Sequence, residues 1–176
     1  MKDLIDKISS YNLFNYLLPG VLFAVIGTAV SSFRLTFDDI IIGAFVYYFY
    51  GMVISRIGSL VLEPLLQKTG LICFSPYADF IAASRIDTKL EILSEQNNTY
   101  RTLAATFLCL FLLSVIEWTL NKIPGVSGYV LKVATMLLLA LFIFSYRKQT
   151  NYIVKRIEKA VRPQPTQGKD NSGGIE

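Results

Sequence analysis

A single arginine, Arg56, stands inside the apolar run "YFYGMVISRIGSLVLEP", with Ser59 and Glu63 following it at three and seven residues. At about 3.6 residues per turn these three share roughly one helix face, and the pattern allows two outcomes. Either Arg56 pairs with Glu63 inside a helix packing, or its long stem carries the guanidinium about two turns to a phosphate-bearing membrane surface. Glu117, beside Trp118, is the other acid within an apolar stretch. It either lines the mouth of an oligomeric pore or pairs with Lys122 or Lys132 at the same level. With no histidine in 176 residues, imidazole acid/base and imidazole metal chemistry are absent. No G-x-S-x-G, H-E-x-x-H or Gly-rich phosphate loop occurs, so the chain is expected to be no enzyme and to hold no cofactor or metal. Cys73 and Cys109 lie in unlike contexts, do not form a C-x-x-C pair, and read as two free thiols.

The elements that position these groups follow from composition. The chain is 53% hydrophobic and 17% charged, with mean hydropathy +0.47, against about 25% charged in ordinary soluble domains. Four apolar segments stand out, at residues 14–33, 40–62, 103–120 and 126–146, each close to the ~20 residues that cross a hydrocarbon core. The expected fold is all-α: an integral membrane four-helix bundle of two transmembrane hairpins, a single domain over residues 1–162, with short amphipathic cytoplasmic helices in a loop at 67–100. The tail at 163–176, rich in Pro, Gly and polar residues, is expected to be disordered. The first segment is long, lacks a small-x-small cleavage site and reads as a retained span, not a signal peptide.

Charge sets the orientation. Thirteen of the 17 Lys and Arg residues precede the first segment, lie between the second and third, or follow the fourth, which places both termini and the central loop in the cytoplasm. The run from Arg147 to Arg162 holds six basic residues against one acid. Arg147, Lys148, Lys155, Arg156 and Lys159 therefore read as contacts to anionic lipid headgroups, and direct nucleic-acid binding is not expected. At the mouth of the first span, "YNLFNYLLPG" carries the helix-weakening residues Asn12, Asn15, Pro19 and Gly20. The favoured reading is an amphipathic surface helix through Leu4, Ile5 and Ile8 that turns into the bilayer at Asn15 to Gly20; the other is one continuous, mildly kinked helix. Asp38 or Asp39 caps the second span. In the central loop, Ser75, Pro76 and Asp79 signal one helix start and Asp87 another. "NNTYRT" interrupts before the third span, with Thr99 as its cap.

Small residues at four-residue intervals, Gly20, Ala24 and Thr28 in the first span and Gly51, Ser55 and Ser59 in the second, mark close helix contacts, within the chain or between copies. Four thin helices have few interior positions, so a homo-oligomer is expected.

The strings "SYNLFNYLLPGVLF", "YGMVISRIGSLVLEPLL", "YADFIAASRID" and "KLEILSEQNNTYRT", spanning about residues 10–102, resemble a group of small four-span bacterial membrane proteins, identified with the membrane subunit of the two-gene Kiwa anti-phage system. The resemblance implies an inner-membrane homotetramer that senses phage attack and recruits a cytoplasmic DNA-binding effector. Tyr77, Arg85, Lys89, Leu90, Leu93 and Arg101 would then form the docking surface together with the basic tail. The expected function is a membrane sensor or scaffold for a cytoplasmic protein; the alternative is a small oligomeric channel.

Overall fold

The structure, a computed structural model, describes residues 12–122 and 127–161. These are helical and connected by short links: α1 Leu13–Val30, α2 Ile40–Lys68, α3 Tyr77–Ser84, α4 Lys89–Lys122 and α5 Ser127–Val161. Three of them, α1, α2 and α4, are long and apolar enough to cross a membrane. The sequence places a fourth span at 126–146, whose first residues lie partly outside those described; helix α5 covers the rest and continues to Val161. With 34 and 35 residues, α4 and α5 are each about 50 Å long at ~1.5 Å per residue, well beyond the ~30 Å hydrocarbon thickness.

The helices alternate in direction. Gly51 approaches Tyr16 and Gly20 approaches Tyr47, so α1 and α2 are antiparallel. Asn15 meets Thr102 and Gly27 meets Leu110 and Leu113, so α4 runs parallel to α1. The pairs Phe49 with Phe142 and Glu63 with Lys148 set α5 parallel to α2. The closest crossing is α1 on α2. A Cβ on Gly20 would lie 1.7 Å from the Tyr47 carbonyl oxygen, and one on Gly51 1.7 Å from that of Tyr16, so only glycine lets these backbones meet. The stripe of small residues therefore serves contacts inside the chain: Ala24 is 0% exposed, and Ser55 and Ser59 are buried.

Helices α1 and α2 each contain one wide π turn, at Leu13–Leu17 and Gly58–Leu62, and in both a proline, Pro19 or Pro64, follows two residues after it. In a regular helix the proline ring collides with the carbonyl four residues back. That carbonyl, of Asn15 or Leu60, falls inside the π turn. Hydrogen bonds reaching one residue further, Leu18 N–H to Leu13 O and Glu63 N–H to Gly58 O, open the backbone there. The chain consequently stays helical through Pro19–Gly20 and does not turn out at that point; the amphipathic stretch expected at Leu4 to Ile8 lies outside the described residues.

Two loop expectations need correction. The "NNTYRT" stretch does not interrupt: α4 runs unbroken from Lys89, and the Thr99 hydroxyl donates back to the Glu95 carbonyl, an i−4 bond a helix tolerates. The modest propensity cost of two asparagines is offset by packing on one side of the helix. Pro76 sits one place earlier than expected, as the residue before α3, where its carbonyl accepts from Asp79 and Phe80 N–H. Asp87 caps α4 through Lys89 N–H, and Asp39 caps α2 through Ile41 and Ile42 N–H.

Candidate functional site

The starts of α1 and of the apolar part of α4 meet the ends of α2 and of the apolar part of α5 at one end of the molecule. Three of these four segments deliver a polar side chain to a buried cluster. Thr102 is 0% and Asn15 1% exposed. Thr102 Oγ1 lies 2.8 Å from Asn15 Oδ1, 3.2 Å from Ser55 Oγ and 2.9 Å from the Asn98 carbonyl. A hydroxyl has one proton and two lone pairs, so it donates to one oxygen and accepts from Ser55. Threonine sits mid-helix without penalty because its hydroxyl has partners on three segments.

One turn further along, Glu63 gathers two cations from other helices. Arg101 Nη1 donates to Oε2 at 2.6 Å and Lys148 Nζ to Oε1 at 3.1 Å; Lys148 also donates to the Ser59 carbonyl at 2.7 Å and to Ser59 Oγ at 2.8 Å. The side chains of Glu63, Arg101 and Lys148 are 12%, 20% and 27% exposed. At such burial a carboxylate needs its counter-charges, and removing one partner leaves an uncompensated charge. Of the two readings of Arg56, the pairing with Glu63 is thus replaced: helical spacing put them on one face, but Glu63 is taken by Arg101 from α4 and Lys148 from α5. Arg56, half-buried, has no ion-pair or hydrogen-bond partner among the described residues.

Between these layers and α3 opens a cleft of about 890 Å³. Arg56, Glu63, Arg101 and Lys148 are its charged lining, a surplus of two positive charges among the described residues. Tyrosines 16, 77 and 152 and Asn15, Asn97 and Asn98 add polar groups, while Phe74, Phe80, Leu90 and Leu93 make its apolar wall. Tyr77 packs its ring 5.5 Å from that of Tyr152. Burial first, then the charge on Glu63, raises the Tyr152 phenol above its ordinary range, with Arg101 acting in the opposite sense.

The residues chosen from sequence therefore divide. Gly20, Ala24, Gly51, Ser55 and Ser59 pack helices, as their spacing indicated. Of the expected docking set, Tyr77, Leu90 and Leu93 line the cleft, Arg85 and Lys89 are exposed, and Arg101 is tied to Glu63. Lys148 likewise turns inward, its ammonium bonded to Ser59 and Glu63. Arg147 is exposed beside a shallow groove with Leu137, Leu141 and Phe144. Lys155 and Arg156 are exposed, and the Lys159 side chain lies outside the described residues. Glu117 accepts the Ser32 N–H at 2.7 Å, and Lys122 lies 3.8 Å over the Trp118 ring instead of bonding that acid. Both cysteines are free, and the described residues hold no cluster of three potential metal ligands. The buried Asn15 and Thr102 escaped sequence reading. Asn15 gave a signal, as an amide inside an apolar run.

Comparison of the chain with family models, with curated proteins and with solved structures gives no match.

Proposed function

We propose that this chain is a four-span inner-membrane protein with both ends cytoplasmic, acting as a sensor or scaffold subunit that recruits a cytoplasmic effector, in anti-phage defence of the Kiwa kind that its sequence resembles. It works by assembly, as a homo-oligomer, tetrameric if the resemblance extends to copy number. The observation that carries the reading is apolar exposure outside the spans. Leu71, Phe74, Ile86, Ile92 and Leu93 are all more than half exposed, Ile86 at 89%, and all lie in the segment between the second and third spans. Burying a fully exposed side chain of this kind is worth about 1.5–3 kcal/mol, and covering these in proportion to their exposure gains roughly half of that or more each. Lipid tails cover the exposed faces of the spans; a protein surface covers these five. Arg85 and Lys89, exposed among them, supply the rim charges that orient a partner.

The test uses the full-length tagged chain in its own cells. Ile86→Glu and Leu93→Glu are expected to abolish copurification of the soluble effector while the variants still sediment with membranes, and reporter fusions after Leu90 should read cytoplasmic. Retention of the partner by both variants, or an external reporter signal, overturns the reading. The channel alternative predicts ion flux from purified protein in liposomes that is lost in Glu117→Gln; the bond from Ser32 N–H to Glu117 favours a role in tying α4 to the link after α1.

A further inference from the structure

We propose that the cleft between α2, α3, α4 and α5 is a binding site for one phosphate-type anion, held by Arg56 and the free edge of Arg101. The proposal does not depend on which protein docks outside. It rests on three features of the cleft that the ion pairs leave unexplained. First, Arg56 reaches the cleft with no partner among the described residues, although α2 carries it at a level where an ionisable group is expensive. Second, Arg101 spends only Nη1 on Glu63; its Nε is buried and without an acceptor among the described residues. The rest of that guanidinium, part-exposed, lines the cleft, and unpaired donors on a charged group call for an acceptor. Third, Glu63 answers two cations with one charge, so the lining keeps its positive surplus.

Guanidinium groups present N–H donors in a planar fork that fits the oxygens of phosphate. Around them stand uncharged donors, Ser59, Asn97 and Asn98, and an apolar wall, Phe80 and Leu90. A bare anion would use the first group only. A phosphate bearing an acyl or other apolar portion would use both. The two sources of the same chemistry are a lipid headgroup entering from the membrane side and a free phosphate compound entering from the cytoplasm.

The experiment takes the full chain, purified in neutral detergent. Native mass spectrometry follows titration with phosphatidylglycerol and with phosphatidylcholine, and calorimetry follows titration with inorganic phosphate. Wild type is expected to prefer phosphatidylglycerol, and Arg56→Gln to weaken that binding about tenfold, the usual weight of a charge-assisted bond. Arg56→Gln leaves the Glu63 cluster intact, so folding is preserved. Arg34→Gln, which removes an exposed charge at the other end of the helix array, should change binding by less than about twofold. Saturable binding of inorganic phosphate that Arg56→Gln abolishes also supports the site and assigns it to a free anion. Equal losses in Arg56→Gln and Arg34→Gln reduce the effect to general charge attraction and overturn the proposal. So does the absence of any preference or saturable binding in wild type.

Discussion

The two ends of the helix array are built by different rules. At the cleft end, side chains from four segments bond to one another: Asn15, Ser55 and Thr102 in one layer, Glu63, Arg101 and Lys148 in the next. At the other end, the extended link at 31–39 is held by side chains that each satisfy one backbone donor. Thr28 Oγ1 accepts from Leu35 N–H, Tyr47 Oη from Phe37 N–H and Glu117 from Ser32 N–H. The one ion pair there, Arg34 with Asp38 at 2.6 Å, is 71% and 91% exposed and worth little. At the link, side chains from three helices each satisfy a neutral backbone donor. At the cleft, side chains from four segments satisfy one another, and three of them are charged.

The sharpest way to break this contrast is through glycine. Gly51→Ala, at the crossing just above the cleft, puts a methyl into the Tyr16 carbonyl and should cost on the order of 3 kcal/mol or more, since backbone cannot step aside. Gly43→Ala, nearer the other end, meets only the Tyr47 ring at 3.2 Å, which need give only a few tenths of an ångström; its loss should stay below about 1 kcal/mol. Thermal unfolding of both variants in one detergent checks the pair. Charge gives the next largest difference. Glu63→Gln leaves Arg101 and Lys148 without their shared counter-charge and should cost about 2 kcal/mol, whereas Asp38→Asn should cost less than about 0.5 kcal/mol. Equal shifts would mean that the buried cluster is no better built than the surface pair.

How much of this was legible in the sequence depends on the range of the interaction. The first three apolar segments, the cap at Asp38 or Asp39, the helix start at Asp87 and the stripes of small residues are local patterns and stand where they were expected. The four helix weakeners at the start of α1 were visible but misread as a turn. Asn15 is there for Thr102, Pro19 is accommodated by the π turn, and Gly20 is there for the Tyr47 carbonyl. Glu63 shows the limit clearly. The cation that helical spacing puts on its own face is Arg56, and its actual partners come from 38 and 85 residues away. Nothing in helical periodicity ranks those above a neighbour on the same face. Nor could the sequence show that Lys148, one of six basic residues in a run, is the one that turns inward.

The layer nearest the core offers a smaller test of the same contrast. Thr102→Val keeps the shape of the side chain but removes the oxygen shared by Asn15 and Ser55, leaving a buried amide short of a partner; the expected loss is about 1 kcal/mol. Thr119→Val, near the other end, removes only an exposed hydroxyl bonded back to Val115 and should shift stability by less than about 0.5 kcal/mol. Matching losses would show that the hydroxyl cluster at the cleft end is incidental to packing.

The smallest effect should appear only in alkali, and it tests whether the cleft wall senses the Glu63 cluster. Tyr152 has its phenol raised above the ordinary value of 10.0, by burial first and the charge on Glu63 second. Its proton is therefore held more tightly in the folded chain than in the unfolded one. The contribution is fully present below about pH 10, and it declines as pH rises from there through the folded value, because the unfolded chain releases its proton first. Tyr152→Phe removes this term. Its unfolding temperature should match wild type closely at pH 8 and fall less steeply than wild type above pH 10. In a Glu63→Gln background, where the second cause of the shift is gone, the gap between tyrosine and phenylalanine should narrow. A gap unchanged by Glu63→Gln would mean that burial alone acts on Tyr152, and that the cluster's charge does not reach the aromatic wall of the cleft.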